Sequence, residues 1–436
     1  MNKRTLRTVL AAALVAAAGF AAISVVSAQD SGRSSYKVTI KKLGEAGPAK
    51  VDKKSPDEQA LAKPAHAKPL SADVKKGIDW LVATQNADGG WGQGDESVNM
   101  GGRRHAPNAQ PVKSTSNVAD SCMATLALMR AGSTPSSGAH KGTVRKGVQY
   151  VLGQIEASDA DSLYVTNVRG TRVQAKIGTY VDTFTSVMML SELKGAMGSP
   201  ADEKRLAKGL EKVIRKIEKN QKGDGTFANE GWAPTLTQGL AAKGLNRAWQ
   251  SGADVDDDTL RRLEGAAQAQ ANAPAGSGDA GVALYGKASS SAGLRDSVNT
   301  YKQQETELRK RAQKGDKKAI ADLASNEKAE QRADNAEADL VRNLDSPAFV
   351  QGFGNNGGEE FLSYLLVSEA LMIKGGDGWE KWDARMSKML GKVQNGDGSW
   401  TGHHCITGRT FCTATALMVL MADRAPMPVG NKLRRG

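Results

Sequence analysis

The sequence predicts an all-α protein built from repeated helix pairs. One pattern occurs three times: Gln85-Asn-Ala-Asp88-Gly89-Gly-Trp91, Gln221-Lys-Gly-Asp224-Gly225-Thr-Phe227 and Gln394-Asn-Gly-Asp397-Gly398-Ser-Trp400. Each copy closes an amphipathic helical stretch, and a second apolar stretch follows after a loop. Gln154 falls between the first two copies, 69 residues after Gln85 and 67 before Gln221. Repeated units of this kind cannot bury their apolar faces alone and must stack on one another. Within the pattern the Asp-Gly pair makes a turn and glycine supplies positive φ. The aromatic ring fills the gap between units, and the glutamine amide bonds backbone groups left open at a helix end.

Gln-x-x-Asp-Gly-x-Trp at helix ends resembles the QW repeat of squalene and terpene cyclases, the prenyltransferase/squalene oxidase repeat. The same pairing is found in protein prenyltransferase beta subunits, complement-type thioester domains and some pectate lyases. The resemblance implies an α/α toroid over residues 71–425, with five to six helix hairpins. Inner helices would surround a central cavity, outer helices would surround them, and function would sit at one mouth. That fold hosts unrelated chemistries, so it does not by itself give an activity.

The ends of the chain read differently. Lys3, Arg4 and Arg7, an Ala/Val/Leu-rich run and Val26-Ser27-Ala28 before Gln29 form an export signal over residues 1–28. The expected location is periplasmic or extracellular; the other reading of the same run is an uncleaved membrane anchor. Residues 29–70, rich in Lys, Ala, Ser and Pro, read as a disordered basic tether, and 426–436 as a tail. Residues 1–70 carry 12 Lys/Arg against 5 Asp/Glu, and so supply +7 of the net +12. With the basic excess on the ends, nucleic acid is not an expected partner. Peripheral contact of the tether with anionic membrane or cell wall is.

The first outer helix is expected over about residues 72–84, with Val74, Ile78, Leu81 and Val82 on one face. Its inner partner begins near Ala119. The second pair covers about 143–156 and 182–193, the third 201–220 and 234–249. A fourth outer helix follows Asp254 and ends near Gln270. Further helices are expected over 359–373, 379–393 and 410–421. About 296–345, dense in charge and poor in large apolar residues, reads as a charged helical insertion outside the ring, a hairpin turning at Lys314-Gly315-Asp316. Ser121, Thr183, Thr235 and Thr410 are expected to cap inner helices.

Inner-helix starts converging on one rim make Asp120, Asp182, Glu359, Glu360, His403, His404 and Arg409 the candidate binding residues; the acids equally complement helix dipoles. Asp254-Val-Asp256-Asp257 is similar to the Asp-x-Asp-Asp proton donor of class II cyclases, although an acidic helix cap explains it better. Asp120-Ser-Cys122 resembles the zinc-ligand pair of prenyltransferase beta subunits, with Arg409 where the third ligand, His, would stand. Ring closure would add His403, His404, Cys405 and Cys412 to Asp120 and Cys122, a set suited to zinc. The alternative is a Cys405–Cys412 disulfide in an oxidising compartment, leaving Cys122 buried. No Cys-Gly-Glu-Gln thioester sequence is present. His105, in the Gly101–His105 loop, is a further anion-binding candidate.

The expected function is an exported module that binds an unidentified ligand or protein partner at the ring mouth, with no cofactor assured and zinc a candidate. The alternative is an enzyme at the same mouth, either metal-assisted or a polysaccharide lyase or hydrolase. An aromatic content of 5% weighs against an isoprenoid cyclase.

Overall fold

The computed structural model describes residues 67–94, 114–273, 281–352, 354–406 and 408–428, with three short strands before them. The chain divides into two units, 1–48 and 49–436. In the first, Ile23–Val26 (β1) pairs antiparallel with Lys37–Ile40 (β2). The expected cleavage site, the Gly101–His105 loop and residues 429–436 of the tail lie outside the described residues.

The second unit is an α/α toroid. Its inner helices are α2 (Val118–Arg130), α5 (Val181–Leu193), α7 (Pro234–Gln250), α9 (Val282–Lys302), α13 (Gly358–Lys374) and α15 (Arg409–Leu420). Each packs on the next in that order, and α15 packs back on α2, so the ring is closed. These helices are buried nearly all round, as a middle layer must be. Outside them lie α1 (Ala72–Thr84), α3 (Lys141–Ala157), α6 (Pro200–Asn220), α8 (Asp257–Asn272), α11 (Lys317–Leu344) and α14 (Asp377–Val393). The short α4 (Arg172–Lys176), α10 (Glu305–Gln313) and α12 (Pro347–Val350) are connectors.

The three motif copies are clasps between outer helices. The Gln85, Gln221 and Gln394 amides each donate to a carbonyl in their own turn, those of Gly89, Gly225 and Gly398. Each also donates to a carbonyl at the start of another outer helix: Thr143 of α3, Thr259 of α8 and Asp73 of α1. The last bond joins the end of the ring to its beginning. Glycine is required in these turns: φ is +89°, +83° and +90°, and a Cβ would fall 2.0–2.6 Å from a carbonyl oxygen of Lys146, Arg262 or Lys76. The Trp91 and Trp400 indoles, fully buried, donate to Leu81 and Leu390 carbonyls.

Three expectations need correcting. The charged stretch does not lie wholly outside the ring. Residues 296–302 complete inner helix α9, and α11 packs on α9 as its outer neighbour. The hairpin does turn at Lys314–Asp316. Charge is compatible with packing here because it is paired: Arg295 grips Glu337 with two bonds of 2.7 Å, and Ala329 and Ala333 let the helices approach closely. Nor do the expected hydroxyls cap the inner helices, which begin one to three residues earlier. Asn117 caps α2, while the Ser121 and Thr413 hydroxyls accept the Trp91 and Trp400 backbone N–H groups at 2.8 Å. The stretch read as tether is likewise not wholly without partners: Leu61–Ala62 (β3) pairs with Met427–Pro428 (β4), and the Lys68 N–H donates to Asp423.

Candidate functional site

Inner helices beginning on one side of a ring bring their N-termini to one mouth, and the rim residues gather there in two groups. Asp120 and Asp182 are buried in the first turns of α2 and α5. Asp120 accepts from the Asn117 amide at 2.7 Å. Asp182 accepts from the Ala119 N–H at 2.8 Å and the Gln174 amide at 2.7 Å, and burial raises its pKa. Arg409 is buried against Asp397 and Ser399, with its guanidinium 4.9 Å from the Trp80 ring centre. It secures the third motif turn rather than lining an open rim.

The second group gathers where α9, α13 and residues 402–406 meet. Glu359 and Glu360 open α13, and both are buried. Glu360 accepts from the Tyr285 hydroxyl at 2.5 Å and the Gly357 N–H at 2.8 Å, and its Oε2 lies 3.4 Å from His404 Nε2. Glu359 Oε2 accepts from Ile406 N–H at 3.4 Å, while Oε1 has no hydrogen-bond partner among the described residues. Burial, then the neighbouring Glu360 charge, pushes the Glu359 carboxyl up to about 7. Burial also raises Glu360, opposed by the Tyr285 bond. His404 Nε2 is 3.2 Å from the Asn355 carbonyl oxygen, and the His403 ring stands 6.1 Å from that of His404.

The expected six-residue metal cluster does not form. Cys122 packs on Ser186 at 3.6 Å inside the ring, its thiol pushed up to about 12 by burial. Cys412 is buried with its sulfur 3.6 Å from the Ile406 carbonyl. Of that set only His404 and Cys405 come together, and the third member is Glu359, with donor atoms all within 4.8 Å of one another. The expected Cys405–Cys412 disulfide is not formed in this structure. Cys405 is turned towards Glu359; burial and then that carboxylate push its thiol up to about 11.

Beside this cluster the loops before α5 and α7 carry aromatic surface. Trp232, 40% exposed, meets Tyr285 edge-on at 5.9 Å. Tyr164 and Tyr180 lie 4.8 Å apart, and Arg169 stacks on Tyr164 at 3.5 Å. Asp256, from the Asp-x-Asp-Asp sequence, caps α8 by accepting the Thr259 N–H at 2.8 Å and takes no part in the mouth.

Deeper in the ring lies a network absent from the expected site. Glu369 of α13 bonds Lys243 at 2.9 Å, Arg130 at 3.0 Å and Arg247 at 3.5 Å. Glu192 meets Arg130 at 2.9 Å, and Asp296 meets Lys243 at 3.0 Å. All six side chains are buried. Although burial alone would raise it, the cations of Lys243, Arg130 and Arg247 hold Glu369 below the ordinary carboxylate range. The network joins α13 to α2 and α7, helices that are not its ring neighbours, and so crosses the lumen. This charged crossing is unlike the apolar, aromatic chamber that a carbocation would need.

The closed ring and its motif clasps define an α/α toroid. Residues 59–168, which span α1 to α3, match the model of the squalene-hopene cyclase C-terminal domain. No curated protein matches the chain. No helix among the described residues is long and apolar enough to cross a membrane.

Proposed function

We propose that this chain is an exported toroid that binds a ligand at the mouth of its ring, the ligand being a carbohydrate. One observation carries this reading: an exposed aromatic face, Trp232, stands beside Tyr285, whose hydroxyl is held by the buried Glu360. Aromatic faces stack on the apolar faces of sugar rings, and carboxylates accept from their hydroxyls. The export signal carries the compartment, and the basic tether would bring the toroid to an anionic wall or membrane surface. The test is a glycan array probed with labelled residues 29–436. Retention of a defined glycan by the wild type, lost in Trp232→Ala, supports the reading. No retention, or equal retention by Trp232→Ala, overturns it. N-terminal sequencing of the exported protein checks cleavage before Gln29.

A second reading, an enzyme acting on a polysaccharide at the same mouth, is favoured by Glu359. A buried carboxyl near pKa 7 beside a second carboxylate is suited to proton transfer at neutral pH. Shortening of a retained glycan, abolished by Glu359→Gln, would distinguish catalysis from binding.

A further inference from the structure

We infer that Glu359, His404 and Cys405 form a binding site for a single divalent ion of the zinc class, with its fourth position open to the mouth. Their carboxylate, imidazole and thiol donors lie within 4.8 Å of one another. Zinc bonds of about 2.0–2.3 Å hold tetrahedral donors about 3.3–3.8 Å apart, so small side-chain adjustments close the trio. An O, N and S set suits zinc or cobalt better than calcium or magnesium, which take oxygen ligands.

One further observation points to a ligand here, and two show how the loop is held. Glu359 is fully buried, yet its Oε1 makes no hydrogen bond among the described residues. A buried carboxylate oxygen without a donor is costly, and a cation would satisfy it. Cys405 is also the one non-glycine residue with positive φ among those described, at +53°. Such a conformation costs about 1 kcal/mol or more and persists where the surroundings enforce it. Finally, the loop is packed tightly onto the start of α13. A Cβ on Gly357 would lie 2.7 Å from the His404 carbonyl oxygen and 2.9 Å from its ring, so this glycine permits the approach. Glu360, 3.4 Å from His404 Nε2 and anchored by Tyr285, orients the imidazole from behind.

The inference deepens the mouth reading, but its test uses no glycan, so either can fail alone. Apo full-length chain is titrated with cobalt(II) chloride and then with zinc chloride. The expected result is one equivalent of cobalt with a sulfur-to-cobalt charge-transfer band, displaced by zinc. The band persists in Cys122→Ser and disappears in Cys405→Ser. Glu359→Gln weakens zinc binding about tenfold or more. A folded wild type without the band, a band surviving in Cys405→Ser, or unchanged zinc affinity in Glu359→Gln overturns the site. Cys405 sits on a half-buried loop, and Cys405→Ala provides a second variant if the serine form does not fold.

Discussion

Replacing Glu369 with glutamine removes one charge from the crossing of the lumen while keeping the shape of the side chain. In the native network three cations, Arg130, Lys243 and Arg247, face three acids, Glu192, Asp296 and Glu369. Glu369 is the one acid that touches all three cations, at 2.9–3.5 Å. At an effective dielectric of about 20, each contact near 3 Å is a gross attraction of about 5 kcal/mol, largely offset by desolvation. Glu369→Gln leaves the desolvation of the cations in place and one positive charge uncompensated. The expected loss is about 3–5 kcal/mol, read as a lower urea midpoint with unchanged m-value. Lys243→Met added to Glu369→Gln restores neutrality and recovers part of the loss, a coupling that a double-mutant cycle measures. Glu211→Gln, which breaks an exposed pair with Arg215, costs less than about 1 kcal/mol. A Glu369→Gln loss as small as that exposed control would refute the account of the lumen.

Three further outcomes are expected. Gly398→Ala, whose Cβ would fall 2.6 Å from the Lys76 carbonyl at φ +90°, destabilises by about 2 kcal/mol or more, whereas Gly265→Ala, a helical site with open space around it, is neutral or gains up to about 1 kcal/mol; thermal unfolding compares them. Gln394→Ala removes the bond from the last repeat to Asp73 of α1 and costs about 1–2 kcal/mol, with faster amide exchange at the start of α1. With metal chelated, Glu359 makes stability fall with rising pH. Its folded pKa of about 7 exceeds the ordinary 4.5, so the folded state binds the proton more tightly; stability is full below about 4.5 and declines by up to about 3 kcal/mol through about 7. Denaturation across that window shows the decline in the wild type and its absence in Glu359→Gln.

The repeat motif made the architecture legible because its glutamine and glycine play the same part in each copy. Gln bonds the same kinds of groups in all three copies and Trp in two, so the motif located the ends of α1, α6 and α14. Composition misled at 296–345, where charge suggested solvent. The Arg295–Glu337 bond satisfies that charge between α9 and α11, a pairing 42 residues apart that composition does not show. The mouth was half legible. Glu359, Glu360, His404 and Cys405 were recognisable as chemistry-bearing residues, but Asp120 and Cys122 were drawn in by resemblance. Their fate depended on which neighbours, Asn117 and Ser186, reach them. The lumen network left a trace in sequence: Ser191-Glu192 and Ser368-Glu369 place an acid within otherwise apolar inner helices. A charge there needs a buried partner. Which cations supply it depends on the closing of the ring.

The most direct test of the mouth as the working end of this toroid is anomalous diffraction at the zinc edge from crystals of the protein carrying one equivalent of zinc. The account predicts a single peak bonded to Glu359, His404 and Cys405, facing Trp232 across the mouth. A peak at Asp120 and Cys122, or none at that stoichiometry, would contradict it.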